Sequence, residues 1–288
     1  MNNIELIKGL SGCKLDIRKK NGFFIVNKST NDVDYLNRLE RQCFKQKQYR
    51  GLISKECNIL VPKVTYENRS NTLFEFEMEY LPARDTLTFL ENSKIEEINY
   101  FVKNIFRIID INIELSTYKV IEKKIFFKKI DKIRQAIDSR PIVKMFAEYF
   151  ELVTEQIEEL ENDLLIPVGV CHGDLTFSNI LMKDNKIILI DFLDSYLETP
   201  LQDIVKIRQD TAHFWSLKVI DKKIDKIKIK IILEYIDRKI TKHYQGKDFM
   251  QYYNIFQVIN LLRILPYTQD KELLKVLKNE ISRIYRRK

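Results

Sequence analysis

The chain has 288 residues, 45% hydrophobic and 31% charged, and its 49 Lys and Arg exceed its 41 Asp and Glu to give a net charge of +8. That length buries a large core in one or two domains, and the basic residues are spread along it without zinc-finger spacing, an RNP motif or an arginine tract, so nucleic-acid binding is not expected. Its cysteines, Cys13, Cys43, Cys57 and Cys171, lack metal-ligand spacing, and a chain this long needs no disulfide staples, so they read as reduced thiols of a cytoplasmic protein.

Met1 to Gly9 carries neither the apolar core nor the cleavage site of a signal peptide. No apolar run approaches about 18 residues, so a soluble, unexported protein without membrane insertion is expected. Roughly the first eighty residues alternate like strands and most of the remainder repeats like helices, which marks a lobe boundary near Leu81. Lys14 to Lys19 and Phe23 to Lys28 flank Asn21-Gly22, the signature of a tight hairpin turn. From Asp32 to Tyr49, Val33, Leu36, Leu39 and Cys43 have helical spacing under a charged face. Leu60 to Tyr66 and Thr72 to Tyr80 return to strand-like composition around a polar turn at 68–71. Helices are predicted at 95–116, 122–138 and 142–162, with Pro141 at the first position of the third. Within a β-rich interval from Pro167 to Phe192, Ile180 to Met182 and Lys186 to Ile190 read as strands around Asp184-Asn185, and 200–288 is mostly helical.

The segment Cys171-His172-Gly173-Asp174-Leu175-Thr176-Phe177-Ser178-Asn179-Ile180-Leu181, followed by Ile188-Leu189-Ile190-Asp191-Phe192, carries the chemistry. In phosphoryl transfer one carboxylate orients the attacking hydroxyl and accepts its proton, while other oxygen ligands hold magnesium on the phosphates. Asp174 and Asn179 have the spacing of a base and a metal ligand on one catalytic loop. Asp191 ends an apolar strand where a second metal ligand belongs, and the intervening hairpin returns it beside Asn179.

These motifs resemble those of the aminoglycoside phosphotransferase and choline kinase group of small-molecule kinases: a His-Gly-Asp loop, an Asn five residues after the Asp, and an Ile-Asp-Phe strand end, in order and at compatible spacing. The resemblance implies an α+β, two-lobed protein-kinase-like fold. A small β-rich nucleotide-binding lobe would span residues 1–81, and a larger, mostly helical catalytic and acceptor-binding lobe 82–288. Gly173, where protein kinases usually have Arg, and Phe192-Leu193, where they have Phe-Gly, favour the small-molecule branch. His172 is implied to order the loop, with no acid or base role.

A first lobe of this kind supplies a lysine for the phosphates of ATP and a carboxylate to hold it. Lys28, closing the strand Phe23 to Lys28, is the better candidate, Lys14 on the neighbouring strand the other, and Glu40 on the following helix is the expected ion-pair partner. Ser11 and Gly12, in Gly9-Leu10-Ser11-Gly12-Cys13, are expected to cover the phosphates. The backbone near Glu79, in a linker-like Glu77 to Pro82, is expected to meet the adenine edge. On the acceptor side, Asp194 and Ser195 follow the metal-binding segment, Asp203 is implied to support the catalytic loop, and Glu198, Asp210, His213 and Trp215 are candidates to line a pocket. The expected activity is transfer of the γ-phosphate of MgATP to a small-molecule hydroxyl: an amino alcohol, a sugar or an aminoglycoside. A protein kinase is disfavoured because Ala-Pro-Glu is absent, and a pseudokinase because base, metal ligands and lysine are all retained. The acceptor, the choice between ATP and GTP, and the oligomeric state have no signal in the sequence.

Overall fold

The computed structural model describes residues 3–8, 13–220 and 222–286. In chain order its elements are β1 (Asn3–Lys8), β2 (Lys14–Lys20), β3 (Phe23–Thr30), α1 (Val33–Leu52), β4 (Ile59–Leu60), β5 (Val64–Arg69), β6 (Phe74–Glu79), β7 (Arg84–Asp85), α2 (Thr86–Asn92) and α3 (Ile95–Glu114). They continue with β8 (Thr117–Ile121), α4 (Lys123–Gln135), α5 (Ile142–Glu158), β9 (Leu164–Val168), β10 (Ile180–Lys183) and β11 (Lys186–Leu189). The remaining helices are α6 (Pro200–Thr211), α7 (Trp215–Val219), α8 (Lys226–Tyr244), α9 (Tyr253–Leu262) and α10 (Lys271–Tyr285). The chain forms two compact units, one holding the residues up to Ile108 together with His172–Ser195, the other Ile109–Cys171 together with the residues from Tyr196 onward.

The first unit is built on an antiparallel sheet ordered β1-β2-β3-β6-β5. Its β2–β3 turn works because Asn21 and Gly22 take φ of 51° and 84°, the left-handed pair that matches the twist of the strands. Along β6, Phe74, Phe76 and Met78 alternate inward and pack with Leu36, Leu39 and Cys43 of α1. Asp32 caps α1, its carboxylate accepting from the Asp34 amide at 3.0 Å. Val33, by contrast, is exposed.

A second, smaller sheet is ordered β4-β11-β10-β7, with β4 parallel to β11. The strand predicted over Leu60 to Tyr66 is thereby divided: β4 joins the small sheet and β5 the large one. Pro62 lies in the gap, where a residue without an N–H interrupts a ladder at least cost. The turn Asp184-Asn185 repeats the device of the first hairpin, with φ of 46° and 62°. Its tight closure fixes the β10–β11 register, pairing Ile180 with Leu189.

The second unit is mostly helical, with β8 and β9 forming an antiparallel pair. Phe126, Ile130 and Ile133 of α4, Phe146, Phe150, Val153 and Ile157 of α5, and nearly all of α9 are buried. Pro141 stands at the N-cap of α5, one place before the predicted position. A Lys-Ile-rich run from Lys226 opens α8, which is capped by Asp225 and buries Ile229, Ile232, Leu233, Ile236 and Ile240. β8 has no counterpart among the predicted strands, because only Ile121 of its residues is buried and no alternation betrays it. Among the described residues no helix is long and apolar enough to cross a membrane.

Candidate functional site

The loop His172–Asn179 lies in the first unit and is ordered from within. The buried His172 ring accepts from the Asp174 amide at Nδ1 (3.2 Å), which leaves Nε2–H to donate to Ile190 O (2.9 Å). It lies against Phe192 with ring centroids 4.3 Å apart. Burial drives its pKa down to about 4, so the imidazole is neutral at physiological pH and holds the loop with two specific hydrogen bonds. Gly173 has φ of +86°, and a Cβ there would collide with Leu193 O. Only glycine lets the loop approach the segment after Asp191 so closely.

Asn179 closes the loop. Its Nδ2 donates to Asp174 O at 2.8 Å and to Asp174 Oδ2 at 2.9 Å. Two acceptors on one nitrogen fix the amide orientation and turn Oδ1 away from the Asp174 carboxylate. The β10–β11 register then brings Asp191 back, with the Ile190 amide donating to Asn179 O at 3.1 Å. Asp191 itself holds a left-handed backbone, φ +60°, and its carboxylate bonds the buried Lys28 ammonium. Burial works against the charge on Lys28, but the Asp191 carboxylate more than offsets it and holds the lysine's pKa above its ordinary value.

The expected lysine and the motif residues therefore lie in one unit, and Lys28 is distinguished from Lys14, which is exposed. The expected partner of Lys28 is corrected. Glu40 lies on an exposed face of α1, 3.9 Å from Arg69, and the carboxylate on Lys28 is Asp191. Leu36, Leu39 and Cys43 turn inward, and Glu40 stands about 100° around the helix from Leu39, off that face. The Glu79 amide donates to Lys63 O at 3.0 Å, and its carboxylate accepts from the Lys63 amide at 2.8 Å. Ser11 and Gly12 lie outside the described residues.

Three cations on α1 are functional candidates that the sequence reading misses. Lys45 Nζ donates to Leu193 O at 2.6 Å, and Arg41 Nε donates to Asp194 Oδ2 at 2.9 Å. Arg38 Nε lies 3.7 Å from Asp194 Oδ1. The signal is present as basic residues spaced three and four apart on one helical face. Asp194, a candidate to face an acceptor, instead faces α1.

In the second unit Asp203 is buried and accepts from Asn112 Nδ2 at 3.0 Å. Asp210 accepts from the amide and hydroxyl of Ser216, and His213 is bonded to Glu280 and Gln257. Glu198 accepts from the Cys171 thiol, and Trp215 is half-buried.

As to metal, no group of three or more His, Cys, Asp and Glu side chains among the described residues is arranged to hold an ion. Asn179 Oδ1 and the Asp191 carboxylate are hard oxygen donors, and Lys28 shows that a cation is accommodated at Asp191. A pair of such donors suits magnesium, which is commonly held by one or two side chains together with substrate phosphates.

A β-rich sheet with a capping helix, a loop joining Asp174 to Asn179, and a strand end carrying Asp191 are the parts of a kinase-like fold. The model of the Phosphotransferase enzyme family matches residues 132–219, which include all three motif residues. Among solved structures, a thermostable mutant of aminoglycoside phosphotransferase APH(4)-Ia, in complex with ADP and hygromycin B, has a TM-score of 0.63 at 10% identity, covering 99% of this chain and 94% of its own. A GDP and kanamycin complex of an APH(2") phosphotransferase also reaches 0.63, at 13% identity over 100% and 95%. A putative fructosamine-3-kinase from Haemophilus somnus reaches 0.57 at 13% identity over 97% and 90%. The resemblance to aminoglycoside phosphotransferases, and the two-lobed kinase-like fold class it implied, are met by these matches. Protein LicA of Haemophilus influenzae is 26% identical over 222 residues, covering 74% of this chain and 56% of that sequence. The chain thus spans little more than half the length of that curated relative.

Proposed function

We propose that the chain is a small-molecule kinase that transfers the γ-phosphate of MgATP to a hydroxyl, with residues 1–81 forming the nucleotide lobe and 82–288 the catalytic and acceptor lobe. Asp174 is the base: its carboxylate, held by Asn179, orients the acceptor hydroxyl and takes its proton as the oxygen attacks phosphorus. Lys28 binds the phosphates, exchanging its bond to Asp191 for bonds to their oxygens. Asn179 and Asp191 would hold magnesium, which when bound neutralises charge on the phosphates. His172 stays neutral and keeps the loop in register. The observation that carries this reading is the hydrogen-bonded Asp174–Asn179 pair on a loop whose returning strand presents Asp191 to Lys28.

The acceptor belongs to the amino alcohols, sugars or aminoglycosides; hygromycin B and kanamycin in the similar structures support the last two. Those complexes contain ADP in one case and GDP in the other, so both nucleotides belong in the test. Purified protein is incubated with γ-labelled ATP or GTP, magnesium and each acceptor class, proteins included, and labelled product is separated. Label on a small hydroxyl compound is expected. Label on proteins alone, or on nothing while nucleotide is bound, overturns the proposal.

A further inference from the structure

We propose that Arg38, Arg41 and Lys45 are positioning residues that couple α1 to the segment carrying Asp191. The inference rests on the phosphotransferase reading and deepens it by assigning residues outside the motif.

The three side chains fall on one face of α1, at spacings of three and four residues, and reach consecutive groups of one segment. Arg41 and Arg38 meet the Asp194 carboxylate at 2.9 and 3.7 Å, and Lys45 meets the Leu193 carbonyl at 2.6 Å. Leu193 is held from the other side as well, its amide donating to His172 O at 3.2 Å. Lys45 Nζ also lies 3.0 Å from the place a Cβ on Gly173 would occupy, so it stands where the catalytic loop and the Asp191 segment touch. A shift of α1 is thus transmitted through Leu193 and Asp194 to Asp191 and, through Leu193 and His172, to the loop carrying Asp174.

The Arg41–Asp194 ion pair is a poor candidate for simple stabilisation. Arg41 is 60% and Asp194 28% exposed, and ion pairs so open to solvent add little to folding. Their worth lies in geometry, because misplacing reacting groups by about 1 Å can cost on the order of a hundredfold in rate.

The test compares wild type with Asp194→Arg, Arg41→Asp, the double charge swap, Lys45→Met and Lys45→Arg. Turnover with the acceptor found in the screen, affinity for MgADP by titration, and Tm are measured on each. Asp194→Arg and Lys45→Met are expected to lower kcat at least about tenfold and weaken MgADP similarly, with Tm nearly unchanged. The double swap and Lys45→Arg are expected to recover most of both. Unchanged kcat and MgADP affinity in Asp194→Arg and Lys45→Met overturn the coupling, as does a loss that follows Tm and is not recovered by the swap. If wild type binds MgADP yet phosphorylates nothing, the phosphotransferase reading fails alone, and the coupling is decided by the affinities. If it binds no nucleotide, both fail.

Discussion

Asp203, Asp210 and His213 of the second unit are buried, and each is engaged by a partner in the same unit: Asn112, Ser216, and Glu280 with Gln257. In the first unit Asp191 keeps 42% of its side chain exposed, and Asp174 is half-buried. In the sequence Asp174 and Asp191 read as base and metal ligand, Asp210 and His213 as candidates to line an acceptor pocket, and Asp203 as a support of the catalytic loop. Acids whose lone pairs are consumed inside the fold serve folding, whereas acids that keep an open face, on a loop fixed by other groups, retain capacity for a ligand.

Four measurements break or sharpen this contrast. Asp174→Ala is expected to lower kcat by about a thousandfold while nucleotide affinity changes little, as kinetics and titration will report; unchanged turnover removes Asp174 from the role of base. Next is the buried His172. Its folded pKa of about 4 lies below its ordinary 6.5, so between those values the unfolded chain binds the extra proton. The stability is full above about pH 6.5 and falls as pH drops toward 4, by up to about 3 kcal/mol. Denaturant melts across that window should show the slope, reduced in His172→Gln. Asp191→Asn is expected to weaken MgADP binding by about tenfold or more and leave metal-free ADP less affected; equal affinities would reject its metal role. Smallest is Asp210→Ala, expected to cost about 1 kcal/mol in Tm-derived stability with kcat nearly unchanged, because it strands the Ser216 amide and hydroxyl. A large loss of turnover at intact stability would move Asp210 to the functional side.

Local chemistry makes much of this legible. Asn21-Gly22 and Asp184-Asn185 announce two-residue turns because few residues accept positive φ, and the second turn alone returns Asp191 to Asn179. Asp174, Asn179 and Asp191 can be read because their spacing is set by that loop and hairpin. Lys28 can be read because it ends a strand. The partner of Lys28 cannot, since choosing among carboxylates requires the rotation of α1 about its axis, and that is set by packing of Leu36, Leu39 and Cys43 against β6. For the same reason the sequence directs Asp194 toward an acceptor and not toward α1. β8 escapes because a strand with one buried residue carries no periodic signal.

Gly173 bears on regulation. Protein kinases carry an arginine at the matching place, and segments in that fold are switched by phosphate groups that recruit arginines. Here a side chain is barred by a left-handed backbone and by Leu193 O, which occupies the space any Cβ would need. A phosphate-responsive switch acting through an arginine at this position would first have to dislodge the Asp191 segment.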